Sequence, residues 1–73
     1  MSNEEKFFIY LLENYSEFKN RKTGDVINEW KEKGIINYIF DNYWLYHTER
    51  MENAYIDIDS MIKTGKSAWA DQN

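Results

Sequence analysis

Seventy-three residues without a cysteine and with a single histidine leave this chain no disulfide and no thiolate metal site to hold it together. A domain this short buries only about 60% of the surface its unfolded chain exposes. What remains is side-chain packing, with or without a partner. The sequence supplies the material, since 18% of it is Phe, Trp or Tyr and each such ring buries on the order of 150–250 Å². One histidine is too few for a histidine-based metal site. No EF-hand loop, phosphate-binding glycine loop or zinc spacing is present, so no metal and no cofactor is expected.

The chain has no proline and only three glycines, Gly24, Gly34 and Gly65, which fall where helix boundaries are wanted. Between them apolar residues recur at helical spacing. Phe7, Phe8, Leu11, Leu12, Tyr15 and Phe18 form one stripe, and Ser2 with Glu5 fits a capping box, so a helix is expected over about 3–19. Val26, Ile27 and Trp30 share a face of a second, short helix, with Thr23 as its expected cap and Gly34 as its stop. Ile35 to Asn42 reads as a third, short helix, and an extended segment is possible near 43–47. Met51, Ala54, Tyr55, Ile58, Met61 and Ile62 give a clean stripe for a last helix, for which Thr48 is the expected N-cap. The predicted fold is an all-α compact domain of about four helices over 1–65, followed by a tail over 66–73 that Trp69 could tether.

Several residues stand out as candidate sites. His47 directly precedes Thr48, and the pair reads as a structural cap, because a catalytic histidine needs oriented partners. A functional reading would pair His47 with Glu49 or Glu52. Ser2, Ser16, Ser60 and Ser67, however, sit in no nucleophile motif. Asp57 and Asp59 point about 200° apart on a helix, so they do not converge on an ion, and both are read as a solvated face. Tyr38, Phe40, Tyr43, Trp44 and Tyr46 form an aromatic cluster too large to be all core. Tyr43, Trp44 and Tyr46 are therefore candidate partner-binding residues. Ile9, Tyr10 and Ile56 break otherwise amphipathic helices and would form a second candidate patch if those helices pack together.

The formal net charge of −4 argues against nucleic-acid binding, which depends on neutralising phosphates. The basic stretch Lys19, Arg21 and Lys22 reads as a solvated turn. No apolar run approaches the ~18–20 residues of a membrane span, and no secretory leader is visible, which makes the cytoplasm the default.

The stretches "FFIYLLENY", "YIFDNYWLYHTE" and "AYIDIDSMI", with His47 and Thr48 at the join, resemble the short bacterial proteins grouped as domain of unknown function 3791. The resemblance covers about residues 4–63. It implies no catalytic residues. It does imply, through genes encoded beside ADP-ribosyltransferase-like toxins, an antitoxin-like or accessory role. Association with mobile elements would equally suit an inhibitor of a host defence protein. The expected function is thus a non-enzymatic protein-interaction module. The alternatives are a helix-turn-helix regulator built on 23–33 and 35–42, an enzyme using His47, and a structural homodimer.

Overall fold

The computed structural model describes residues 1–69. Its helices are α1 (Asn3–Phe18), α2 (Thr23–Glu32), α3 (Ile35–Asp41), α4 (Tyr43–Tyr46) and α5 (Met51–Thr64), and no strand occurs among the described residues. The fold is all-α, as the periodicity predicts. The segment expected to be extended near 43–47 is instead a helical turn, set off from α3 at Asn42.

The start of α1 follows from its first residues. Ser2 Oγ accepts from the Glu5 amide at 3.1 Å, and Glu5 Oε1 accepts from the Ser2 amide at 2.8 Å. Such a reciprocal cap stabilises a helix by about 1 kcal/mol. After Phe18 the chain turns through Asn20, whose φ of 55° lies in the left-handed region that asparagine tolerates. The basic turn is not simply solvated. Lys19 pairs with Asp59 of α5 at 2.5 Å and Arg21 with Glu29 of α2 at 2.7 Å, so the turn joins α1 to two other helices. Gly34 and Gly65 both take positive φ, 72° and 74°, and separate α2 from α3 and α5 from the tail.

Two expected caps fall elsewhere. Thr23 lies inside α2, which begins after Lys22 with no side-chain cap. Thr48 does not cap α5 either, since that helix starts at Met51 after Arg50. The Thr48 hydroxyl donates backwards, to the carbonyls of Leu45 at 2.9 Å and Trp44 at 3.2 Å. His47 Nδ1 donates to the Tyr43 carbonyl at 2.8 Å. The pair therefore closes α4, because both side chains bond carbonyls of that turn.

The core is built from Phe8, Leu11, Leu12 and Tyr15 of α1, Val26 and Trp30 of α2, Ile35 and Ile39 of α3, Tyr46 of α4, and Ala54, Tyr55 and Ile58 of α5. Trp30 is central: its ring meets Tyr15 edge-on at 5.2 Å and Phe8 at 5.9 Å. Phe18, expected in the α1 stripe, is mainly exposed and stacks on Tyr55 at 5.0 Å. The radius of gyration, 11.6 Å, matches the ~11 Å of a compact chain this long.

Candidate functional site

Two features of α4 and α5 go beyond core building. The first is an aromatic face. Phe7 of α1 meets the Tyr43 ring edge-on at 5.5 Å, and the His47 imidazole stacks flat on the Tyr43 ring, at 4.3 Å and 7°. Trp44 stands edge-on to both Tyr43 and His47, at 5.6 Å and 5.2 Å. Its side chain is nevertheless 77% exposed, and the neighbouring Leu45 is also exposed. Trp44 is thus braced by two rings while its remaining surface meets water. His47 is the brace: stacked on one ring and tied by Nδ1 to the backbone, it is oriented by α4 itself.

Tyr46 does not belong to this face. It is 3% exposed and points into the core, which removes it from the surface where sequence reading placed it. Alternate residues of a single helical turn diverge, so Tyr43, Trp44 and Tyr46 cannot all face outward. Ile9, Tyr10 and Ile56 are all exposed. The aromatic and polar links between α1 and α5 run through Tyr15, Phe18 and Lys19 to Tyr55 and Asp59.

The second feature is Asp57, which sequence reading assigned to a solvated face. It is 1% exposed. Its Oδ2 accepts from the hydroxyls of Tyr46 at 2.5 Å and Tyr38 at 2.7 Å. Its Oδ1 accepts from Ser67 Oγ at 2.7 Å and the Ala68 amide at 2.8 Å. One carboxylate therefore ties α3, α4, α5 and the residues after α5 together. Burial by itself pushes the Asp57 carboxyl up, but the four donors outweigh it and hold the group below its ordinary value. Asp59 does a lesser version of the same work at the other edge of the α5 stripe. It accepts from Tyr15 Oη at 2.7 Å and from Lys19.

The tail is thus attached through Ser67 and Ala68, while Trp69 remains partly exposed. Residues 70–73 lie outside the described residues. Sequence reading missed Asp57, although one signal existed. A small domain with six tyrosines buries some of their hydroxyls, and each buried one needs an acceptor.

The same geometry has a spectroscopic consequence. Burial, first of all, pushes the phenols of Tyr15, Tyr38, Tyr46 and Tyr55 above the ordinary value, and hydrogen bonding to Asp59 or Asp57 adds to this for the first three. A group whose folded value is raised contributes stability that is intact below about pH 10 and is lost as pH rises beyond it. In an alkaline titration followed at 295 nm, these tyrosines are expected to ionise only as the helical circular dichroism disappears. Ionisation of all six near pH 10 with the helices intact would contradict the burial described.

Among the described residues no three His, Asp or Glu side chains group as a metal site, and no helix is long and apolar enough to cross a membrane. The helix that would enter a groove in a helix-turn-helix reading, α3, carries no lysine or arginine.

These features define a small all-α domain with a braced, exposed aromatic face and a carboxylate hub in the middle of its last helix. The chain belongs to the family described as protein of unknown function, DUF3791, which matches residues 6–65. Comparison with curated proteins and with solved structures gives no match.

Proposed function

We propose that this protein is a non-enzymatic interaction module that binds a protein partner through the aromatic face of α4. The observation that carries this reading is Trp44, 77% exposed and standing edge-on to the stacked pair Tyr43 and His47. An ordered tryptophan contributes large contact area and loses little side-chain freedom on binding, which is why such residues dominate interface energetics. The acidic net charge of −4 favours a partner with a basic surface, by steering its approach. An antitoxin-like or accessory role, with an ADP-ribosyltransferase-like toxin as the partner, is what the family resemblance adds. Inhibition of a host defence protein is the same reading with a different partner.

Affinity capture from the native host with the tagged chain tests this. Trp44→Ala is expected to weaken binding of the captured protein about 30-fold, the effect of removing a hot spot of about 2 kcal/mol, with the circular dichroism spectrum unchanged. Ile9→Glu and Ile56→Glu probe the α1 and α5 surface in the same assay. Equal capture by wild type and all three variants would rule out both surfaces. A homodimer in light scattering that Trp44→Ala dissociates would reassign the face to self-association.

A further inference from the structure

The chain after Gly65 is held in an unusual way. Lys66 is exposed, Ser67 and Ala68 are half-buried and Trp69 is 39% exposed, so the indole is the segment's main apolar contact. The rest of its hold comes from polar contacts. Ser60 Oγ donates to the Lys66 carbonyl at 2.8 Å, Thr64 Oγ1 reaches the same carbonyl at 3.3 Å, and Ser67 and Ala68 donate to Asp57 Oδ1. On the domain side, Oδ2 is already satisfied by two phenols that fix the carboxylate plane. Oδ1 faces the segment alone. The family match contains Tyr38, Tyr46 and Asp57 but ends at residue 65, before Ser67 and Ala68.

We propose that Asp57, positioned by Tyr38 and Tyr46, is a receptor site for a peptide that presents a Ser or Thr hydroxyl and the next backbone N–H, and that residues 66–69 occupy it in cis as a strap. The inference is independent of the aromatic face. A fixed, buried carboxylate oxygen selects for two donors spaced as in a hydroxyl residue and its successor, and hydrogen bonds to a charged acceptor are the stronger ones. A tethered strap competes at an effective concentration in the millimolar range, so it masks the site from a peptide in trans.

The test uses the full chain with Ser67→Ala and Ala68→Pro, which deletes both donors of the strap. The probe is a fluorescent synthetic peptide with the sequence of residues 65–73. Saturable binding to the unlatched chain, at least about tenfold weaker binding to wild type, and loss of binding when the peptide serine is alanine are expected. No binding by an unlatched chain of normal circular dichroism overturns the proposal, as does equal binding by wild type. Hydrogen exchange on the unaltered chain gives a check independent of any variant. The Ala68 amide is expected to exchange at least about tenfold faster than that of Ile58, because a strap opens without unfolding α5. Exchange of the two amides together would make the segment an integral part of the fold and defeat the idea.

Discussion

Trp30→Ala is expected to remove a large part of the chain's stability at 25 °C. The indole is fully buried and touches the rings of Phe8 and Tyr15, so its removal empties the place where α1 and α2 meet. Truncating a buried tryptophan costs about 3–5 kcal/mol. A domain of this length has only about 4–11 kcal/mol in total, from about 0.05–0.15 kcal/mol per residue. The loss therefore takes up about a quarter of what is available at the least, and all of it at the most. Trp30→Phe is the informative companion. The indole Nε1 is buried with no hydrogen-bond acceptor among the described residues, so phenylalanine removes an unsatisfied donor along with some volume. Urea denaturation of both variants should show the phenylalanine protein retaining more than half of the stability that alanine loses. A Trp30→Ala protein with a wild-type midpoint would mean that the tryptophan is not central to the core.

The second large effect is expected at Asp57, and it separates two aspartates that look alike in the sequence. Asp57→Ala orphans the hydroxyls of Tyr38 and Tyr46 and frees the strap. A buried donor left unmade costs about 1–3 kcal/mol. Ser67 and Ala68 can find water once released, so the expected loss is about 3 kcal/mol, from the two phenols. Asp59→Ala orphans one phenol, that of Tyr15, and breaks a partly exposed ion pair with Lys19, and should cost about 1–2 kcal/mol, less than Asp57→Ala. Equal losses at the two positions would show that Asp57 is not buried. Acid gives the same answer without mutation. Because the Asp57 carboxyl is held below its ordinary value, its contribution is fully present above about pH 4 and is lost as pH falls through the lower, folded-state value. Stability measured against urea should fall below about pH 4 in wild type, with a shallower fall in Asp57→Ala. Parallel curves would place the acid sensitivity in other carboxylates.

Much of this protein was legible before any coordinates, and the reasons are local. The capping box at Ser2 and Glu5, the left-handed glycines at Gly34 and Gly65, and the stripes through Leu11, Trp30, Ile39 and Ile58 all depend on residues within a turn or two of one another. Short-range sterics and helical period decide such features, and both can be read along a line. The exposure of Ile9, Tyr10 and Ile56 followed from the same period. The misplaced caps show where local reading stops. Thr48 can bond forwards to α5 or backwards to α4, and only the position of the Trp44 and Leu45 carbonyls chooses between them.

Asp57 shows the limit most clearly. On the helical wheel it stands about 40° from Met61, at the edge of the apolar stripe, where a carboxylate can face water or the interior equally well. Its partners come from positions 38, 46, 67 and 68, which no spacing rule connects. Helical period and backbone sterics, both readable along the chain, account for its all-α class, for most helix ends and for most of the core, Phe18 excepted. That Tyr46 lies inside and Trp44 outside, and that Asp57 is a hub, follows only from how the helices pack. A buried charge is tolerated only where several donors converge on it, and convergence is a property of the packed helices, not of the chain.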